Sequence, residues 1–286
     1  MLFYGAIIVD MKKTFPFGLP ILPVGQVYDG LPKKLFILGV YASAVHVKWY
    51  GPDGRLRIRA MAVASEPEIF WRGGNDYVQE VIERINLAPE YGYLAPADEA
   101  FNGPSGRCLD ENYINPLGLT RDDVWLCDLL PESRKNISQE KALKKQYDGF
   151  VDIEYNFPRL ETPIADEARI IEIVSELETS GARRVVLLGD EPIRYFLQRF
   201  KPEIKSLSSV VPYGSEVEFS VNSRQYTALC LAHPRQTARL GKSNLYWFEH
   251  HREWLAGNVK TEISSACMVS SNNNFDSNLI VLLQKS

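Results

Sequence analysis

Four short apolar runs constrain this chain more than any other feature: Lys34 to Tyr41 (KLFILGVY), Val124 to Leu129 (VWLCDL), Arg184 to Gly189 (RVVLLG) and Thr227 to His233 (TALCLAH). Each is flanked by turn residues and is short enough to be a core strand, and each ends in a polar or glycine-containing loop. Between them, apolar spacing and acidic or small residues near the starts predict helices at about 75–86, 105–115, 164–180, 190–200 and 243–256. A sheet covered by helices follows, so the fold class is α/β: a three-layer α/β/α sandwich around a mainly parallel central sheet. No internal repeat and no transmembrane-length run interrupts this pattern.

With 286 residues and 45% hydrophobic content the chain can build one large domain over 1–286. Surface excursions are expected at about 50–75 and 131–162, and an extra C-terminal segment at about 260–286. Arg55 to Ala64 (RLRIRAMAVA) suits an extra half-buried strand, in a hairpin with the turn Gly51-Pro52-Asp53-Gly54 before it. In the tail, SSNNN at Ser270 to Asn274 reads as a loop and Leu279 to Leu283 as a late strand. Leu2 to Val9 is apolar but short, lacks a basic segment before it and is followed by Asp10 and Lys12, so it reads as a strand and not a signal peptide. A cytoplasmic protein is expected, with no membrane partner and as a monomer.

The net charge of −4 argues against a protein that coats nucleic acid through bulk charge, so any nucleic-acid contact must come from a local patch. The four cysteines Cys108, Cys127, Cys230 and Cys267 are widely spaced, which suggests buried reduced thiols and neither a zinc site nor a disulfide framework. No phosphate-loop or dinucleotide-binding motif occurs, and no metal or organic cofactor is implied.

In open parallel sheets ligands bind beyond the carboxyl ends of the strands, which directs attention to the loops after Tyr41, Asp128, Gly189 and His233. Those loops carry Gly39-Val40-Tyr41-Ala42-Ser43-Ala44, Leu126-Cys127-Asp128-Leu129, Gly189-Asp190-Glu191-Pro192 and Leu231-Ala232-His233-Pro234-Arg235-Gln236. With Phe101-Asn102-Gly103-Pro104-Ser105-Gly106-Arg107 they form an ordered set that resembles the uracil-DNA glycosylase superfamily over roughly residues 34 to 256. The resemblance implies that fold, DNA as partner, and cleavage of the bond between an extruded base and its deoxyribose.

It also implies roles. Phe101 would stack on the base, and stacking holds any base without identifying it. Asp128 stands where the family reads the uracil edge with asparagine. An amide both donates and accepts, whereas an ionised carboxylate only accepts, so uracil's 4-carbonyl would be repelled and cytosine's amino group welcomed. Cytosine's ring nitrogen 3 is an acceptor, so a second contact needs one shared proton, carried by either Asp128 or the base. His233, at the place of the family's His-Pro loop, would donate to the base's 2-carbonyl.

Gly39, Tyr41, Ala42 and Ser43 form the loop that in the family usually supplies the water-activating acid. Tyr41 cannot be that base at neutral pH, since its ordinary pKa is about 10. Asp98 and Glu99 are the nearest acids by sequence that could orient water, with no choice between them. Ala42 and Ser43 are small, so a cytosine with a 5-substituent such as a hydroxymethyl or glucosylated hydroxymethyl group would fit, and such bases suggest defence against phage DNA. Arg235, Gln236, Arg239, Lys242 and Ser243 make the required local patch, with Arg235 or Gln236 filling the gap left by the flipped base. His46 follows the first loop, while His250 and His251 read as surface residues of a helix. Two alternatives stand beside the cytosine-specific glycosylase: a uracil-DNA glycosylase of base-excision repair, and a catalytically silent module that binds a modified base.

Overall fold

A computed structural model describes residues 13–238 and 245–257. In chain order its elements are β1 (Leu35–Tyr41), β2 (Ala44–Tyr50), β3 (Leu56–Ser65), α1 (Asn75–Ile85), β4 (Tyr93–Pro96), α2 (Pro104–Leu109), β5 (Val124–Leu130), α3 (Ile137–Gln146), α4 (Glu167–Ser180), β6 (Arg184–Leu188), α5 (Asp190–Tyr195), β7 (Glu216–Val221), β8 (Arg224–Leu231) and α6 (Pro234–Thr237). Helix α7 follows at 245–257. The strand expected at Leu2 to Val9, the tail from about 260, Cys267, and the basic-patch residues Arg239, Lys242 and Ser243 lie outside the described residues.

The main sheet has the order β5-β1-β6-β8-β7. The four strands expected from the apolar runs are mutually parallel, and β7 pairs antiparallel with β8 at one edge. Because side chains alternate across a strand, each apolar run supplies two cores. Phe36, Leu38, Trp125, Cys127, Val185, Leu187 and Cys230 face Ile170, Ile173 and Leu177 of α4 and Ile193 of α5. Leu35, Ile37, Leu126, Val186, Leu188 and Leu231 face Cys108, Leu109, Tyr113 and Ile114, with Trp254 of α7 packed against them. A mostly parallel sheet is thereby flanked by helices on both faces, and each fully buried Leu, Ile or Val contributes roughly 1.5–3 kcal/mol. Cys108, Cys127 and Cys230 are free and buried. Among the described residues no helix is long and apolar enough to cross a membrane.

The hairpin around Gly51-Pro52-Asp53-Gly54 is present, with β2 as its first arm and β3 as its second. Together with β4 these strands form a separate three-stranded sheet in the order β3-β2-β4. Expected as a surface excursion, 131–162 instead carries α3 and buries Leu143, Tyr147, Val151 and Phe157 in the core of this second sheet, around Trp49 and Phe17. Its charge belongs to the solvent side of a covering layer.

Two expected helices are shorter than their apolar spacing suggested. The one expected over 105–115 leaves α-geometry after Leu109 and widens into a π turn over Asp110–Ile114. The one expected over 190–200 ends at Tyr195, and a 3-10 turn follows at Leu197–Arg199. His251 is buried, contrary to the surface position expected for it, because α7 lays this ring on Tyr113 with centroids 4.3 Å apart.

Candidate active site

Beyond the carboxyl ends of the main-sheet strands lies a cavity of about 300 Å3. Its lining includes Tyr41, Ser43, Glu66, Phe70, Phe101, Asp128, His233 and Arg235. Residues spread over almost two hundred positions thus converge where a parallel sheet places ligands.

Asp128 is 4% exposed. It pairs in register with Gly39 of β1. That glycine leaves room: a Cβ there would stand 2.2 Å from Asp128 Oδ1 and 2.6 Å from Phe70 Cζ. Asp128 Oδ1 is buried without a hydrogen-bond partner, although the Asp128 carbonyl accepts from Arg169 at 2.7 Å. Burial drives its carboxyl pKa well above the usual range, against the pull of the Arg169 guanidinium. A buried acceptor with no donor costs about 1–3 kcal/mol, which a ligand donor would relieve.

His233 caps α6. Its Nδ1 accepts the Arg235 backbone N–H at 3.1 Å. This leaves the proton of the neutral ring on Nε2. Burial, aided by the charge of Arg235, pushes the pKa down to about 4, so the ring is neutral at physiological pH. His233 is therefore a fixed Nε2–H donor. Gln236 Oε1 accepts the His233 backbone N–H at 3.0 Å, which commits that side chain to the cap and leaves exposed Arg235 as the residue of this pair at the cavity rim.

The aromatic wall is built by close backbone approach. Gly103, at φ 72°, lets its segment abut Gly73, whose N would be 2.0 Å from an added Cβ. Asn102 holds both backbone groups of His46, accepting from its N–H at 2.8 Å and donating to its carbonyl at 2.9 Å. Phe101 is thereby tethered to β2 while the residue stays 36% exposed. Tyr41 is half-buried and its pKa is raised, chiefly by burial, which takes it further from any role as a base.

Some expected site residues stand elsewhere. Ala42 is buried in the core beneath the sheet, so among the two small loop residues only Ser43 borders the cavity. Asp98 does not line it: Lys48 at 2.6 Å and Arg59 at 2.7 Å hold its carboxylate and lower its pKa. Glu99 is exposed outside the lining, with its carbonyl accepting from Arg107. His46 also lies outside, its Nε2 3.4 Å from Gln139 Nε2.

Sequence reasoning missed Glu66 and Phe70. Glu66, 7% exposed, follows the last residue of β3. Burial first, and then the charge of Asp128, push its pKa up to about 8. In the sequence it belongs to Ser65-Glu66-Pro67-Glu68, which has the look of a solvated loop. The one available signal was its position directly after the buried alternation of the extra strand.

The arrangement offers a flat aromatic face, a fixed N–H donor, a buried carboxyl with an open acceptor and a second buried carboxyl. Such a set can hold a planar heterocycle by stacking and read its edge. Comparison with known proteins places the chain in no family: no family model and no curated protein matches it.

Proposed function

We propose that this chain is a DNA glycosylase that admits an extruded base with a cytosine edge and hydrolyses its bond to deoxyribose. The observation that carries this reading is the unpartnered, buried Oδ1 of Asp128, in one cavity with the Phe101 ring and the Nε2–H donor of His233. Cytosine's amino group supplies the donor that Oδ1 lacks. Its 2-carbonyl suits His233, whose hydrogen bond strengthens as electrons flow to the departing base. A raised carboxyl pKa at Asp128 favours holding the proton that ring nitrogen 3 requires.

Arg235 at the rim supplies a cation for DNA and a side chain to fill the gap left in the duplex. Ser43 at the border leaves space beside the base's 5-position, so hydroxymethylcytosine and its glucosylated form belong to the proposed substrate class, with defence against phage DNA as the corresponding role.

The test is incubation of the purified chain with matched single- and double-stranded oligonucleotides containing uracil, cytosine, 5-hydroxymethylcytosine or glucosylated 5-hydroxymethylcytosine, with abasic sites scored by alkaline cleavage. Cleavage is expected at a cytosine form, and Asp128→Asn is expected to shift preference towards uracil. Cleavage of uracil alone by the wild type would keep the enzyme and overturn the role of Asp128. Retention of every base, with binding, would replace the enzyme by a base-binding module.

A further inference from the structure

We propose that Glu66 is a catalytic acid–base residue of this cavity, giving a proton to the departing base and recovering one from the attacking water. The inference rests on the glycosylase reading and fills the place left by the first loop, whose Tyr41 cannot activate water.

Its geometry is that of a working group. Glu66 leaves the end of β3, in the second sheet, and lines a cavity to which the main sheet contributes Tyr41, Asp128 and, from the loop after β8, His233. It is 7% exposed, and the hydrogen bonds acting on it come from the Ser43 side chain and the Trp71 backbone. The groups facing it are Asp128 from β5, Glu68 from its own segment, Tyr41 from β1, and His233 and Arg235 from the loop after β8. Burial first, and then its acidic neighbours Asp128 and Glu68, favour its neutral form. Titratable groups kept in the wrong protonation state by burial and a like charge, in a cleft, are what acid–base catalysis uses.

Glu66 also lines a second cavity of about 400 Å3, shared with Leu22, Ser65 and Tyr77.

The step balances. As the bond between C1′ and the base nitrogen breaks, both its electrons go to the base, the acid proton of Glu66 passes to the base, and the base leaves neutral. Water oxygen bonds C1′, and the proton it sheds goes to the Glu66 carboxylate. The products are free base, a C1′ hydroxyl and Glu66 as it began.

The experiment measures single-turnover cleavage from pH 6 to 10, on whichever oligonucleotide the wild type cleaves, for wild type, Glu66→Gln and Glu66→Asp. Affinity for the same oligonucleotide is read by fluorescence anisotropy, and folding by circular dichroism. The wild-type rate is expected to fall about tenfold per pH unit above about pH 8. Glu66→Gln should be about 10²–10³-fold slower, with the fall that begins near pH 8 removed and affinity within about threefold. Glu66→Asp should retain partial activity and the alkaline fall. A Glu66→Gln rate within threefold of wild type, or the same alkaline fall in that variant, overturns the proposal. A wild-type profile flat to pH 10 overturns it without any variant. A wild type that releases no base from any oligonucleotide removes the glycosylase reading and this inference with it, whereas cleavage insensitive to Glu66 removes this inference alone.

Discussion

A methyl group on Gly39 would need the space held by Asp128 Oδ1 and the Phe70 ring, at 2.2 and 2.6 Å, two side chains that line the cavity. Gly39→Ala is therefore expected to cost about 1–3 kcal/mol of stability by overpacking and to abolish base selection, seen as a lower denaturation midpoint and loss of cleavage. His233 acts on the same cavity by a different route. Its ring, neutral until about pH 4, donates through Nε2, so base release should show no acidic limb near the ordinary histidine pKa. His233→Ala should lower the single-turnover rate about 10²–10³-fold with little change in affinity, as removal of a placed donor does. A limb centred near pH 6.5 in the wild-type profile would contradict the neutral-donor role.

At the level of elements, the loop after β8 is held from both sides. Tyr113 Oη donates to the Ala232 carbonyl at 2.5 Å, and the Ala232 N–H donates to Tyr213 Oη at 2.8 Å. Tyr213 Oη lies 2.8 Å from His251 Nδ1, and His251 Nε2 lies 3.0 Å from the Asn112 carbonyl. Nε2–H donating to Asn112 leaves Nδ1 to accept from Tyr213, so one relay ties α7 and the π turn to the residue before His233. Tyr213→Phe strips partners from two groups at once and should cost about 1–3 kcal/mol, with a slower cleavage step at unchanged oligonucleotide affinity. Denaturant titration and single-turnover kinetics check the two parts.

This relay also marks where the sequence stopped being legible. The strands β1, β5, β6 and β8 could be read because burial on both faces writes a continuous apolar run, and Tyr41, Asp128 and His233 followed as their carboxyl-end residues. Strand β7 lies outside those runs because Glu216-Val217-Glu218-Phe219-Ser220-Val221 alternates polar and apolar residues, the pattern of an edge strand buried on one face. His251 is buried against Tyr113, distant in sequence, and Glu66 lines the same cavity as Asp128, and a polar residue gives no local sign of such neighbours.

Across the whole molecule the buried acids and histidines oppose one another in pH. His251, 2% exposed, is pushed down to about 4 by burial, so its contribution is present above the unfolded value near 6.5 and is lost as pH falls towards 4. Glu66 works in the other direction. With its folded pKa raised from 4.5 to about 8, its contribution is full below about 4.5 and is lost as pH rises through 8, because the unfolded chain has released a proton that the folded one still holds. At 1.36 kcal/mol per unit, the loss across that window is on the order of 5 kcal/mol. Maximum stability should consequently fall on the mildly acidic side of neutrality. Glutamine has nothing to ionise, so Glu66→Gln should match the wild type near pH 5 and exceed its melting temperature by a margin that widens up to about pH 9. Melting curves at half-unit intervals would show it, and a constant margin would mean that Glu66 titrates as an ordinary surface acid. The same substitution that stabilises the fold at alkaline pH is the one expected to silence base release, because a carboxyl kept protonated in an apolar wall is costly to the fold and useful to the chemistry.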